Sequence, residues 1–172
     1  MPELLDILDK NGNKTGRLHE RGTPLQKGEF LLGTHVWTVN SKKEYLITRR
    51  SKAKGHRWHA IGGMAVSGDD SLTTALKEAE EEVGLKLDPE NAQFFKREPW
   101  VIDGKGCFHD VWIFRQDIDI NDVVLQEEEA CDVMWASESK IRQLIADGTW
   151  VPDDWYVYIE ELFTEISAWC EI

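Results

Sequence analysis

The sequence predicts an α+β fold in which helices cover a mixed β-sheet. One observation behind this is the order of local patterns. Segments rich in β-branched and aromatic residues precede and follow one amphipathic helical segment, and further helical segments close the chain. The other is size and composition, since 172 residues with 41% hydrophobic and 30% charged side chains suffice for one globular core. We therefore expect residues 1–172 to form a single domain.

Two predicted hairpins open the chain. Strands at Leu4–Leu8 and 15–19 flank Asn11-Gly12, a dipeptide typical of a type I′ hairpin turn. Phe30–Val39 is followed by a polar turn and a second β-rich segment at 45–48, and we expect these two strands to pair. A basic loop is predicted over 49–59. The remaining predicted strands lie at 94–96, 108–114 and 132–135.

The strongest local pattern predicts a helix over Ser71–Val83. Asp70 offers an N-cap oxygen, and Gly84 suits the left-handed position that ends a helix. Apolar residues recur at three- and four-residue steps and form one stripe: Leu72, Ala75, Leu76, Ala79 and Val83. Two more helices are predicted, one at 137–146 and one from Pro152 to near Trp169.

Three glutamates of the predicted helix suggest a metal site. Glu78, Glu81 and Glu82 are spaced i, i+3 and i+4, so their carboxylates share one face away from the apolar stripe. Hard oxygen donors of this kind suit Mg²⁺. Gly62-Gly63 precedes the helix and would let the backbone bend close to the same ion. A solvated acidic helix face is the plainer alternative for the glutamates alone.

The stretch GMAVSGDDSLTTALKEAEEEVGL, residues 63–85, resembles the Nudix box, G-x5-E-x7-R-E-U-x-E-E-x-G-U, where U is a bulky apolar residue. Six positions match in register: Gly63, Glu78, Glu81, Glu82, Gly84 and Leu85. Three depart, because Asp69 replaces the first Glu, Lys77 the Arg, and Ala79 the bulky apolar residue. Lysine cannot make the bidentate carboxylate contact of arginine, so an orienting role for Lys77 is weakened.

The resemblance implies a Nudix α/β/α sandwich over residues 30–165, with 1–29 as an N-terminal hairpin extension. It implies Mg²⁺ or Mn²⁺ as cofactor, held by Glu78, Glu82 and the carbonyl of Gly62, with Glu81 as ligand or base. The expected activity is hydrolysis of a diphosphate bond in a nucleoside-diphosphate-linked or similar small substrate. Water would attack phosphorus while a carboxylate takes its proton.

Two further groups are candidates for the active site. Glu129, in the acidic loop 117–129, is a second candidate general base, unless this loop is simply solvated. Arg49, Arg50 and Arg57 could bind substrate phosphates, although Arg49 or Arg50 could instead pair with the acidic helix. Trp58 could stack on a substrate base or pack in the core.

Residues before the box resemble the Nudix branch related to isopentenyl-diphosphate isomerase. They are Leu5-Asp6-Ile7, Gly16, Glu20-Arg21-Gly22, His35-Val36-Trp37 and 46–50. The isomerase needs a cysteine and a histidine just ahead of the box, where this chain has His59-Ala60-Ile61-Gly62, and Cys107 lies downstream. We therefore expect hydrolase chemistry on an isomerase-like scaffold. An isomerase and a non-catalytic nucleotide-binding module are the alternatives.

The net charge of −12 disfavours nucleic acid as a partner, although a local basic patch could still admit RNA ends. The three cysteines form no CxxC pair and indicate neither a disulfide framework nor a zinc site. We expect a cytoplasmic protein without membrane association, since no apolar run is long enough to span a bilayer. Trp150, Trp155 and Trp169 could form the face of a homodimer.

Overall fold

The computed structural model describes residues 1–170, so the last two residues of the predicted domain lie outside it. Three α-helices and a mixed sheet confirm the α+β class. The strands are β1 Leu4–Leu8, β2 Lys14–Glu20, β3 Phe30–Val39, β4 Tyr45–Arg50, β5 Trp58–His59, β6 Ile61–Met64, β7 Ala92–Ile102, β8 Lys105–Arg115 and β9 Ala130–Ala136. The helices are α1 Ser71–Val83, α2 Glu138–Ala146 and α3 Ile159–Ser167.

The bounds of α1 are those predicted from the sequence. The side chain of Asp70 accepts a hydrogen bond from the backbone N–H of Thr73 at 2.7 Å, which satisfies one of the free donors of the first turn. Gly84 ends the helix with φ of 66°, a conformation that costs glycine nothing. Local signals at both ends therefore fix the helix that carries the three glutamates.

The centre of the sheet is formed by strands distant in sequence. β3 pairs in parallel with β8 from Phe30↔Gly106 to Val39↔Arg115, and antiparallel with β6. β4 pairs antiparallel with β9 and meets β3 only at Val39↔Tyr45. The predicted second hairpin is therefore wrong beyond its turn, because β3 and β4 diverge to take other partners.

Alternating side chains give the sheet two apolar faces. Trp37, Ile47 and Ile113 pack with α2 and α3, while the neighbouring residues Val36, Leu46 and Phe114 pack with α1. Burying one such side chain contributes roughly 1.5–3 kcal/mol to the free energy of unfolding, so several buried side chains together hold each helix on the sheet. The result is the expected three-layer arrangement, with α1 alone on the face that carries the glutamates.

The N-terminal hairpin forms as predicted, but its turn differs. β1 and β2 pair antiparallel, and the Asp9 carboxylate accepts hydrogen bonds from the backbone N–H groups of Asn11 and Asn13 at 2.8 and 3.0 Å. A type I′ turn needs positive φ at both central residues, and only Gly12 has it. An Asx-type turn therefore replaces the predicted type I′ turn.

The C-terminal segment also differs from expectation. The last helix begins at Ile159, not soon after Pro152. Trp150 is buried at 4% exposure, Trp169 packs partly buried against the same core, and Trp155 is 37% exposed. These three side chains do not share one exposed face, so the reason for expecting a homodimer is removed.

Within residues 1–170, no helix combines the length and apolar character needed to cross a membrane.

Candidate active site

A cavity of about 760 Å³ opens between β6, the β7–β8 hairpin and the segment before α3. Charged side chains and histidines lie on its walls together with two partly exposed tryptophans. The charged and aromatic lining residues are Arg21, Arg50, Lys54, Glu82, Glu98, Glu129, Asp154, His35, His59, His109, Trp100, Trp155 and Tyr156. Size and mixed lining are typical of a small-molecule site.

Gly62 and Gly63 lie in β6, where no larger residue would fit. A Cβ on Gly63 would overlap the Glu78 carboxylate, and a Cβ on Gly62 would lie 2.6 Å from the carbonyl oxygen of Thr34. The double glycine therefore lets α1 approach the strand closely enough to lay Glu78 on the backbone. Neither glycine has a positive φ, since both lie within a strand, and the approach of the Gly62 carbonyl to an ion stays a prediction.

Glu82 is the most buried glutamate of the box, with 7% exposure. Burial, followed by repulsion from Glu78 and Glu129, raises its pKa to about 8, and the backbone N–H of Gly62 offsets only part of this. Burial and the charge of Glu81 raise the pKa of Glu78 to about 7, while Arg21 lowers it. The two carboxylates thus form a site with uncompensated negative charge.

Glu81 is the most exposed of the three glutamates. Its charge still raises the pKa of Glu78, and of the three only Glu82 lines the cavity. Within residues 1–170, no three side chains of His, Cys, Asp or Glu already converge in the manner of a complete metal centre. The expected convergence of three carboxylates is therefore reduced to Glu78 and Glu82, with Glu81 beside them on the exposed side.

The two charged positions that depart from the Nudix pattern contact each other. The ammonium of Lys77 lies 2.5 Å from a carboxylate oxygen of Asp69. Asp69 stands where the Nudix pattern has Glu, and Lys77 stands where it has Arg. Each position keeps the sign of its charge, and the two side chains form an ion pair. The pair is half exposed on the lysine side, so its contribution to stability is small.

A divalent cation fits the donors at Glu78 and Glu82. Both are hard oxygen ligands, and burial followed by the negative charge of neighbouring glutamates raises their pKa values, so a dication beside them would favour the ionised forms. The backbone beside them is the glycine strand, whose carbonyls are approachable because no Cβ screens them. The residues present therefore suit such an ion.

Glu129 is brought to the cavity from a distant loop. The ammonium of Lys54 contacts its carboxylate at 2.6 Å, and the charge of Glu129 contributes to the raised pKa of Glu82. The structure thus places this predicted base candidate with Glu82. Lys54 brings positive charge to the same wall.

Of the predicted substrate-binding residues, the structure brings only Arg50 to the cavity. Its guanidinium lies 5.0 Å from the centre of the Trp155 ring, within cation–π range. Arg49 instead donates to the carbonyl of His56 at 3.0 Å, and Arg57 donates to the carbonyl of Trp150 at 3.1 Å. Neither lines the cavity.

Trp58 is also away from the cavity, at 6% exposure in the hydrophobic core beneath α2 and α3. The expected basic loop is in fact the end of β4, a short 3-10 turn and β5. Successive side chains of a strand point to opposite faces, and this separates Trp58 from the cavity-lining His59. Core packing, the alternative already open for Trp58, is what the structure shows.

Most of the cavity lining was missed by the sequence analysis, including Arg21 and Trp100. Arg21, from the end of β2, pairs with Glu3 at 2.6 Å and lies close enough to Glu78 to lower its pKa. Trp100, from the tip of the β7–β8 hairpin, is 41% exposed at the cavity rim. Neither carries a local signal, because only the long-range sheet pairing brings these segments to the glutamates.

The far wall of the cavity is formed by neutral imidazoles. Burial lowers the pKa of His59 to about 3 and that of His109 to about 4, and it holds the pKa of His35 well below the ordinary value. The thiol of Cys107 lies 3.5 Å from Nε2 of His109, and burial raises its pKa to about 11. These imidazoles and this thiol are therefore polar but uncharged at neutral pH, and the carboxylate of Glu98, opposite His109 in the sheet, lines the same cavity.

Comparison with known proteins identifies the family of this chain. A model of the NUDIX domain matches residues 30–159. An uncharacterized Nudix hydrolase of Listeria innocua is 32% identical over 165 residues, covering 94% of this chain and 94% of the relative. Another from Listeria monocytogenes is 30% identical over 170 residues, with 96% of each chain covered.

Solved structures show the same fold. DR0079 from Deinococcus radiodurans has a TM-score of 0.70 at 19% identity and covers 96% of this chain and 98% of its own. A MutT protein from Methanosarcina mazei has a TM-score of 0.60 at 19% identity, covering 84% and 96%. With the family model matching most of its length, this chain belongs to the NUDIX family and is a pyrophosphohydrolase that acts on acid anhydrides.

Proposed function

We propose that this enzyme is a Mg²⁺-dependent hydrolase of small nucleoside-diphosphate derivatives. The single observation that carries the proposal is the pair of neighbouring carboxylates, Glu78 and Glu82, of which Glu82 lines a cavity large enough for such a substrate. Relatives in structure include an Ap4A hydrolase from C. elegans and a bifunctional NMN adenylyltransferase/ADP ribose pyrophosphatase from Francisella tularensis. The activities of those two proteins motivate the choice of compounds tested below.

Glu78, Glu82 and the carbonyl of Gly62 would hold Mg²⁺, with Glu81 at the exposed side as a further ligand or base. Bound there, the ion would supply positive charge where negative charge builds on the phosphate oxygens. Arg50 and Lys54 would orient the phosphates from the same wall, arginine by paired hydrogen bonds.

Glu129 would accept the proton of the attacking water. In the reaction, the water oxygen forms a bond to one phosphorus, and the bond from that phosphorus to the bridging oxygen breaks. The leaving phosphate carries the bridging oxygen away. Glu129 is suited to this role by its place beside Glu82 and by Lys54, whose contact would hold the carboxylate in position.

The test is a Mg²⁺-dependent hydrolysis screen of nucleoside triphosphates, nucleoside diphosphate sugars, dinucleoside polyphosphates and prenyl diphosphates. The kcat of Glu82→Gln should fall at least about a hundredfold, since losing one group that stabilises charge in the transition state typically costs that much. Glu80→Gln is the matched control, because Glu80 is an exposed glutamate of the same helix outside the cavity. Equal turnover in both variants would contradict the proposed metal site.

The same screen separates the two alternatives. Conversion of isopentenyl diphosphate into an isomer without phosphate release would support the isomerase alternative. The raised pKa of Cys107 disfavours that alternative, because this thiol would be a poor proton donor near neutral pH. Tight binding without turnover of any compound would support a non-catalytic binding module.

A further inference from the structure

The part of the cavity wall that contains His35 and His109 includes a hydrogen-bond chain that ends at the cavity surface. Nε1–H of Trp37 donates to the hydroxyl of Tyr158 at 2.9 Å, and the same hydroxyl lies 2.8 Å from Nδ1 of His35. Trp37 and Tyr158 are fully buried, and His35 is 9% exposed on the cavity wall. The chain thus runs from the core to the substrate cavity.

The direction of this chain follows from the hydrogens available. An indole N–H can only donate, so Tyr158 accepts from Trp37. If Tyr158 also accepted from His35, its own hydrogen would have no acceptor among the described residues, because its hydroxyl has only these two partners. A buried donor left unpaired is strongly disfavoured, so Tyr158 donates to Nδ1 of His35.

A neutral imidazole carries one proton, and donation by Tyr158 to Nδ1 places that proton on Nε2. Within residues 1–170, Nε2 of His35 has no hydrogen-bond partner, although the ring is nine-tenths buried. The ring is held from several sides, stacked on His109 at 4.3 Å between centroids and contacted edge-on by Tyr156. It is therefore a rigid ring with an unused donor.

We propose that His35 donates a hydrogen bond from Nε2 to an uncharged acceptor on the non-phosphate part of the substrate, and that Tyr158 is the positioning residue that fixes this tautomer. The proposal rests on the proposed function. The acceptor would be a carbonyl, hydroxyl or ring nitrogen. His35 is paired with Gly62 across the sheet, and the side chains packed on its ring are those of His109, Tyr156 and Tyr158, so a phosphate placed against the ring would lack a side chain of compensating charge.

The tautomer is tested first by two-bond ¹H–¹⁵N spectra of the histidine rings at pH 8, in the full-length protein. We expect the pattern of an Nε2–H imidazole for His35, assigned by the signal lost in His35→Phe. Tyr158→Phe should convert this ring to a mixture of tautomers. Tyr156→Phe is the matched control, because its hydroxyl bonds Ala60 and not His35.

An Nδ1–H pattern for His35 in the unmodified protein would overturn the proposal without any variant. A Tyr158→Phe spectrum unchanged from the unmodified protein would overturn the positioning role. Neither result bears on hydrolysis, so failure here and failure of the proposed function are separable.

Recognition is tested by binding of the same panel of nucleoside diphosphate sugars and dinucleoside polyphosphates, with Mg²⁺ and imidodiphosphate as the probe that lacks a non-phosphate part. His35→Phe keeps the stacking on His109 and removes the donor. We expect the dissociation constant of at least one panel compound to rise about tenfold, with that of imidodiphosphate unchanged. For a hydrolysed compound, KM should rise with little change in kcat.

An equal loss of affinity for imidodiphosphate would show that His35 acts on the phosphate side or on the fold, and would contradict the proposal. So would unchanged affinity for every compound of the panel.

Discussion

The carboxylate of Glu78 lies against the backbone of Gly63, in space that the Cβ of any other residue would occupy. Any other residue at position 63 would therefore displace the Glu78 carboxylate. This contact ties the position of one glutamate of the Nudix box to the residue that begins the box.

Gly63→Ala should move Glu78 and reduce hydrolysis by about 10–100-fold, the range found when residues supporting metal ligands are lost. In the Glu78→Gln background, Gly63→Ala should add little further loss, because the glutamate that it displaces is already inactive. Steady-state kinetics of the two single variants and the double variant measure this. Fully additive losses would mean that Gly63 acts by another route.

The metal-free protein should lose thermal stability between pH 6.5 and 8. The folded-state pKa values of about 7 for Glu78 and about 8 for Glu82 exceed the ordinary value of 4.5, so the folded form binds protons more tightly and its free energy of unfolding falls as pH rises through this range. Buried His35, His59 and His109 have the opposite effect, but only below pH 6.5, their ordinary pKa.

Thermal unfolding in EDTA at pH 6.5 and pH 8 measures this loss. Glu82→Gln should reduce the drop in Tm, Glu80→Gln should not, and Mg²⁺ should raise Tm most at pH 8. A drop in Glu82→Gln as large as in the unmodified protein would contradict the assigned cause.

Arg50→Met should lower kcat/KM by about tenfold or more, because a charge-assisted hydrogen bond to phosphate contributes roughly 1.5–3 kcal/mol. Arg49→Met is its matched control, since Arg49 is adjacent in β4 but bonds the carbonyl of His56 outside the cavity. The control should change Tm more than kcat/KM. Equal kinetic effects of both substitutions would contradict the placement of Arg50.

Trp100→Ala and Trp58→Ala should separate binding from stability. Trp58 is in the core, so its loss should cost about 3–5 kcal/mol of the free energy of unfolding. Trp100 is 41% exposed at the cavity rim, so its loss should raise KM severalfold with a small change in Tm. Denaturant unfolding and kinetics of both variants decide this, and a stability loss at Trp100 equal to that at Trp58 would be inconsistent with the cavity.

Local signals allowed α1 to be predicted to the residue. The cap at Asp70, the apolar stripe and the stop at Gly84 all act within the segment itself. The glutamates of the box could therefore be placed on one helix from the sequence. Which of these glutamates is buried and which is exposed could not be predicted, because this depends on how β6 packs beneath the helix.

The rest of the site depends on pairings between distant segments. β3 was expected to pair with β4, but β8, β6 and β9 compete for these edges, and no local pattern ranks such partners. The same pairings bring Arg21, Trp100 and His109 to the cavity. The sequence left Trp58 open between substrate and core, because a strand of two residues gives no period from which its inward face could be read.

The central claim is that Glu78 and Glu82 hold a divalent cation against the glycine strand. Crystals grown with Mn²⁺ and imidodiphosphate would locate the ion by its anomalous scattering. We predict an ion with oxygen ligands from Glu78 and Glu82 at roughly 2.0–2.6 Å, the range for hard cations, and with the diphosphate in contact. An ion bound elsewhere, with both carboxylates free of it, would contradict the account.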